Sequence, residues 1–194
     1  MKKSIVGVDI GGSKIRAVAW SSSARWDGKR VLAARETSTP KTLAKFKSAL
    51  KQHPNILENV GVLNIQKIGI AVPGRARGAV FVSATNLPYI KNFDFAKFFP
   101  GTKIKIDHDA RCFARAESAG GLARRSLDEG GAVARNNVFF LTLGTGVGRA
   151  IAKNGRVLKI RQFEYPVRWE REYKKVRDGR NDTVLAKFLA KKLK

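Results

Sequence analysis

Asp9 closes a short apolar run and is followed at once by Ile10-Gly11-Gly12-Ser13-Lys14. A carboxylate beside a glycine turn suits phosphate chemistry. Glycines let backbone N–H groups come close to phosphate oxygens, and the Ser13 hydroxyl adds a donor. Asp9 can then hold Mg²⁺ directly or through water. Gly144-Thr145-Gly146-Val147-Gly148 offers a second glycine-and-hydroxyl turn behind another apolar run. Each segment alone also fits an ordinary hairpin turn. Neither is a P-loop, because no Gly-Lys-Ser/Thr opens a helix, and three glycines with a distal acid are absent. Between the two turns stands Asp109. Phosphoryl transfer needs a carboxylate near the acceptor hydroxyl, to orient it and take its proton. A purely structural N-cap aspartate fits the same position.

The elements that must position these residues alternate in type. Ser4–Asp9 and Ile15–Trp20 are Ile/Val-rich and read as a hairpin, with Arg30–Ala34 as a third antiparallel strand. Lys41–Gln52 carries Leu43, Phe46 and Leu50 at helical spacing behind Pro40. Ile68–Val72 is a buried strand ending at Pro73-Gly74, and Gly78–Val82 is another strand. Phe93–Phe98 reads as a short helix. Lys103–Ile106 is a strand running into Asp107-His108-Asp109, with a helix expected over Ala110–Gly120. Leu122–Asn136 reads as a loop, and Val138–Leu143 as a strand. Arg149–Ala152 and Arg156–Ile160 flank Asn154-Gly155, a strong hairpin signal. Val167–Val176 and Thr183–Leu193 read as charged amphipathic helices, the second capped by Asp182 or Thr183. Strands alternating with helices indicate an α/β domain.

Composition excludes several classes. The chain has 194 residues, enough for one ordinary domain or two small ones, and 43% are hydrophobic, which supports a real core. A single cysteine, Cys112, and two histidines, His53 and His108, exclude a disulfide framework and a Cys-rich zinc site. No apolar run reaches the roughly 18 residues of a membrane span. Behind Met1-Lys2-Lys3 the apolar run is broken by Asp9 and two glycines, so a cytoplasmic location is expected. Thirty-nine Lys and Arg against fifteen Asp and Glu give a net charge of +24. Such an excess often marks a nucleic-acid binder. Here it is spread along the chain, thickening over Arg168–Lys194, with no isolated basic patch and no aromatic-interleaved RNA signature. Nucleic acid is therefore not the expected partner, although diffuse positive charge favours polyanions such as ATP.

Taken in order, the motifs resemble the ROK family of sugar kinases. Val6-Gly7-Val8-Asp9-Ile10-Gly11-Gly12-Ser13-Lys14 resembles its first phosphate motif. Gly69-Ile70-Ala71-Val72-Pro73-Gly74 resembles the segment that closes over the sugar, and Asn86-Leu87-Pro88 its Asn-Leu-Pro stretch. Ile106-Asp107-His108-Asp109-Ala110 with Glu117 resembles the motif that holds the catalytic base. Leu141-Thr142-Leu143-Gly144-Thr145-Gly146-Val147-Gly148 resembles the second phosphate motif, with Asn154-Gly155 as the turn beyond it. The resemblance runs over residues 4–158.

The resemblance implies an α/β fold of the actin-like ATPase (ribonuclease H-like) type. It places a lobe with a mixed sheet flanked by helices over residues 1–120, and an incomplete second lobe over 121–194. It implies transfer of the ATP γ-phosphoryl group to a hexose or amino-sugar hydroxyl, with Asp109 as general base. Gly74, Asn86, His108 and Asp109 would line the sugar. Asp9 would serve Mg²⁺, and Gly11, Gly12, Ser13, Lys14, Gly144, Thr145 and Gly146 would hold the phosphates. Lys14 fits equally well as a solvated turn lysine. A small-molecule sugar is the implied partner, and a homodimer is compatible with it.

The departures from the family pattern are specific. His108 stands where the family has Asn, and imidazole has a different reach and can charge near neutral pH. Arg149-Ala150 replaces small glycines, which would crowd or recharge the site. The Glu-x-Gly-His sugar motif is absent. Glu164 is the nearest candidate for its glutamate, and an ordinary surface glutamate fits as well. The family's zinc segment is missing, so no zinc is expected. Asn181-Asp182-Thr183 resembles an element early in the second lobe, ahead of the family's adenine pocket. Two other readings stay open: a catalytically inactive sugar-binding or scaffold protein on the same fold, and a basic nucleic-acid binder. A sugar-responsive repressor is disfavoured, because the first phosphate motif begins at residue 4, leaving no room for a helix-turn-helix ahead of it.

Overall fold

A computed structural model describes residues 4–21, 31–59, 65–118 and 137–193. The chain divides into two compact units, Met1–Cys112 and Phe113–Lys194.

The first unit is built on a five-stranded mixed sheet that runs, in spatial order, β3 (Val31–Ser38), β2 (Lys14–Ser21), β1 (Ser4–Ile10), β4 (Ile65–Val72) and β8 (Lys103–His108). β1 (Ser4–Ile10) alternates, with Val6, Val8 and Ile10 buried and Asp9 exposed. β2 (Lys14–Ser21) and β3 (Val31–Ser38) follow antiparallel. α1 (Leu43–Asn59), which continues past the expected end at Gln52, buries Phe46 and Leu50. It supplies the crossover that parallel pairing requires. β4 (Ile65–Val72) then lies parallel to β1, and β8 (Lys103–His108) parallel to β4. Asp9 is level with Ala71, and Ala71 with Asp107, so the three strands end together.

Between β4 and β8 lies a small antiparallel sheet of β5 (Arg75–Arg77), β6 (Val80–Ser83) and β7 (Lys91–Asp94). β5 and β6 turn at Gly78, whose φ of +59° is a left-handed value that suits glycine. The helix expected over Phe93–Phe98 is shorter. Phe93 pairs with Phe81 in the ladder, and α2 covers only Phe95–Phe98. The switch is made by Asp94, whose carboxylate accepts the N–H groups of Ala96 (2.9 Å) and Lys97 (3.2 Å). Phe81, Phe93 and Phe95 are buried in the core with Phe46.

The helix after β8 is α3 (Asp109–Ala116). It begins on Asp109 itself, one residue earlier than expected, and the boundary between the units falls within it. The loop expected over Leu122–Asn136 lies outside the described residues.

In the second unit, β9 (Asn137–Leu143), β10 (Val147–Lys153) and β11 (Arg156–Val157) form an antiparallel sheet. Asn154 (φ +51°) and Gly155 (φ +73°) make the hairpin turn as their types require. The strand expected over Arg156–Ile160 stops at Val157, and a 3-10 turn takes Arg161–Glu164. α4 (Glu170–Asp178) and α5 (Asp182–Lys192) follow. The cap of α5 is Asn181, not Asp182 or Thr183. Its backbone is extended, and its side-chain oxygen accepts the Val184 N–H at 3.0 Å. Val147, Val167 and Tyr173 form this unit's core with Leu141, Trp169, Leu185, Phe188 and Leu189 against them. No helix among the described residues is long and apolar enough to cross a membrane.

Candidate functional site

Parallel strands present ligands at their carboxyl ends. In the first unit, that end carries Asp9 on β1, Gly74 just beyond β4, and His108 and Asp109 at the junction of β8 and α3. Asp109 is close enough for its charge to act on Asp9. The carboxyl of Asp9 is held above its ordinary range, first by the protein mass around it, then by the charge of Asp109, with Arg16 opposing. Solvent still reaches Asp9, so its hydration is thinned and not removed.

Asp109 is also raised. Burial is the largest cause, and His108, the Ala110 N–H and Arg111 pull it back. The Ala110 N–H donates to Asp109 Oδ1 at 2.6 Å, while 34% of the Asp109 side-chain surface stays open. The group is thus anchored on one side and accessible on the other. His108 is buried, with Nδ1 3.2 Å from Asp109 Oδ1. Beneath them lies a pair that sequence reasoning missed. Arg111, 2% exposed, donates from Nε to Asp107 Oδ1 at 2.7 Å and reaches the same oxygen with Nη2. That oxygen also accepts the His108 backbone N–H at 2.8 Å. The i,i+4 spacing of Asp107 and Arg111 was its only trace in the sequence.

Gly74 has no alternative residue. A Cβ there would lie 2.3 Å from the Ser83 carbonyl oxygen and 2.8 Å from the Ala84 side chain. This close approach seats the strand end of β4 on the segment that leads into Asn86, which occupies the next turn.

The first glycine turn is tied from behind. The Gly11 N–H donates to the Lys14 carbonyl at 2.8 Å. Thr39, buried after β3, donates its hydroxyl to the Gly11 carbonyl at 2.7 Å and its N–H to the Ser13 carbonyl at 2.9 Å. Gly12 and Ser13 sit between these anchors. Lys14 is engaged: its Nζ lies 2.6 Å from Glu36 Oε1, and Arg16 meets the other oxygen of the same carboxylate at 2.5 Å.

The second glycine turn belongs to the other unit and is tied by α4. Tyr173 donates its hydroxyl to the Gly144 carbonyl at 3.0 Å. Arg177 Nη1 donates to the carbonyls of Gly144 (2.8 Å) and Thr145 (2.9 Å). Glu170, 7% exposed, accepts the Val147 N–H at 3.4 Å and pairs with Lys174 at 2.9 Å. A Cβ on Gly146 would lie 3.2 Å from Glu170 Oε1, whereas one on Gly144 would meet nothing within 4 Å.

Arg149, expected to crowd or recharge the site, instead anchors the chain beyond β10. Nη2 donates to the carbonyls of Gln162 and Tyr165, both at 3.1 Å, and the guanidinium lies 4.7 Å from the Phe163 ring centroid. Glu164 lies in this 3-10 turn, half-buried.

Among the described residues, no group of three or more His, Cys, Asp or Glu converges on a metal position. A pair of carboxylates at one strand end nevertheless suits Mg²⁺, which keeps several waters and takes one or two carboxylates with phosphate oxygens.

Solved structures share this mixed α/β architecture, that of the actin-like ATPase fold. The ROK hexokinase from Thermus thermophilus is 26% identical with a TM-score of 0.59, over 81% of this chain and 49% of that one. The inorganic polyphosphate/ATP-glucomannokinase from Arthrobacter sp. strain KM is 22% identical with a TM-score of 0.71, over 91% of this chain and 72% of that one. A ROK family glucokinase from Streptomyces griseus, solved with glucose and AMPPNP, is 22% identical with a TM-score of 0.61, over 81% and 47%. The chain thus spans about half the length of the hexokinase and the glucokinase. No curated protein matches the sequence. The ROK family model matches residues 5–160. With four-fifths of its length in that match, this chain belongs to the ROK family.

Proposed function

We propose that this chain acts as a sugar kinase in the cytoplasm, moving the γ-phosphoryl group of ATP to a hydroxyl of a hexose or amino sugar. The observation that carries this reading is the placement of Asp9 and Asp109 at the same end of three parallel strands, both carboxyls held above their ordinary range. Perturbed, partly exposed carboxylates at a strand end are candidates for a functional site.

In this reading Asp109 is the general base. It accepts the proton of the acceptor hydroxyl as that oxygen attacks phosphorus, and its raised affinity for a proton suits the role. His108, Gly74 and Asn86 orient the sugar, and Glu164 adds a contact. Gly12, Ser13 and Lys14 present donors to phosphate oxygens, as do Thr145 and Gly146, while Gly11 and Gly144 shape the two turns, their N–H groups being taken by the carbonyls of Lys14 and Gly146. Lys14 does so while shared with Glu36. The open space at Gly144 supports this, since no described neighbour demands glycine there and its φ is not left-handed. Asp9 would hold Mg²⁺ through water, and the ion would offset phosphate charge.

The test is direct. Purified chain with Mg-ATP and a panel of hexoses and amino sugars should release ADP only when the right sugar is present, and Asp109→Asn should abolish that release. Sugar-dependent ADP no greater than in Asp109→Asn would overturn the reading.

A second phosphoryl donor is favoured by the net charge of +24. A linear polyanion gains more from such a diffuse field than a single nucleotide does. The likeness to a polyphosphate/ATP-glucomannokinase points the same way. Inorganic polyphosphate should then yield sugar phosphate without ATP, and yield should fall steeply as salt is raised.

A further inference from the structure

We infer that α4 is the positioning element of the second phosphate turn, with Arg177 as its principal residue. This rests on the kinase reading for its functional consequence, although not for its structural one. Glu170, Tyr173, Lys174 and Arg177 fall at i, i+3, i+4 and i+7, so they share one face of α4. Three of them reach the backbone of residues 144–147.

Their chemistry is divided by direction. Arg177 and Tyr173 take the carbonyl oxygens of Gly144 and Thr145, which as partial negative charges would oppose an incoming phosphate. A guanidinium serves this better than a single hydroxyl, because one nitrogen reaches both carbonyls while the rest of the fork is held elsewhere. The Arg177 guanidinium is held in place on both sides. Its centre lies 5.7 Å from the Tyr173 ring centroid, and Asp178 receives Nε at 2.9 Å and Nη2 at 2.5 Å. Glu170 fixes the far end of the turn through Val147, and its carboxylate fills the space that a side chain at 146 would need. The second glycine of Gly144-Thr145-Gly146 is thus accounted for by Glu170, and the first is left open for a ligand.

Tyr173 has a second duty, since its ring is core. Tyr173→Phe keeps the ring and removes only the hydroxyl, and Arg177→Met removes the charge while keeping most of the stem. Arg177→Lys restores the charge without the fork. Two readouts separate the roles. Amide hydrogen exchange over residues 141–148 reports the turn without any ligand. The KM for ATP, set against kcat and the KM for sugar, reports the phosphate site.

Arg177→Met should speed exchange over 141–148 several-fold and raise the KM for ATP about tenfold, with kcat and sugar KM within about twofold. Arg177→Lys should recover part of the ATP effect, and Tyr173→Phe should give a smaller version of both. Unchanged exchange in Arg177→Met would overturn the inference whatever the activity. Faster exchange with equal losses for ATP and sugar would reduce α4 to a structural support and overturn it too. Faster exchange in a chain whose wild type never releases ADP would defeat the kinase reading while leaving α4 as the element that orders the turn.

Discussion

The two glycine turns have the same task on paper and are held in different ways. Each follows a strand, enters an antiparallel partner, and has its carbonyls tied by a later part of its own unit. The first is held by neutral groups: Thr39 contributes a hydroxyl and an N–H, and the nearby cations Lys14 and Arg16 are drawn aside to Glu36. The second is held by charge: Arg177 takes two carbonyls and buried Glu170 takes an N–H. A neutral hold is indifferent to salt and pH. A charged hold rests on ion pairs, Arg177 with Asp178 and Glu170 with Lys174, and it is costly to disturb at Glu170, whose charge is buried. The difference shows that two turns of like glycine spacing are set by unlike residues, which lie elsewhere in the chain.

This contrast can be broken by substitution. Glu170→Ala should cost about 2 kcal/mol, because it takes the acceptor from the N–H of buried Val147. Thr39→Val should cost about 1 kcal/mol, the loss of one neutral hydrogen bond. Urea unfolding checks both, and equal losses would erase the distinction between the turns. Gly11→Ala should cost about 2 kcal/mol, because its Cβ would press on the Lys14 carbonyl at 3.1 Å, which is backbone. Gly146→Ala should cost about half as much, since the obstacle is the end of the Glu170 side chain, which can turn away. The smallest effect on stability belongs to Gly144→Ala, within about 0.5 kcal/mol of wild type. That same variant should weaken nucleotide binding measured by calorimetry, which separates the requirement of the ligand from that of the fold.

A pH test sharpens the account of the first unit. Asp9 and Asp109 both have carboxyls raised on folding. The folded chain therefore binds these protons more tightly than the unfolded one. Their contribution to stability is full below the ordinary carboxylate range and is lost as pH rises through the raised values. Asp109→Asn should then melt higher than wild type at neutral pH, with the gap closing in acid. Kinase activity should show an acid limb displaced above the ordinary carboxylate range, because the base must be ionised.

Much of this was legible in the sequence, for identifiable reasons. Alternation in β1 follows from burial on one face, and Asn154-Gly155 admits few turns, whereas the apolar run of β4 buries Ile68, Ile70 and Val72 on one face and leaves Gly69 exposed on the other. Asp9, Asp109 and the glycines could be found because backbone approach and carboxylate chemistry restrict residue type locally. What escaped depends on long-range pairing. β7 takes Phe93 out of an apparent helix because Phe81 lies opposite it. Arg149 reads as an intruding charge until the carbonyls of Gln162 and Tyr165 are placed around it. The face of α4 was visible as spacing, but nothing in the sequence says that a turn some thirty residues earlier lies against it.

The most direct measurement is single-turnover transfer of a labelled γ-phosphoryl group from ATP to sugar, in wild type and Asp109→Asn, with ATP affinity measured on the same samples. Wild type should form labelled sugar phosphate, whereas Asp109→Asn should bind ATP equally well and form none. Transfer that survives in Asp109→Asn at the wild-type rate would contradict the assignment of Asp109 as the base, and with it the account of this site.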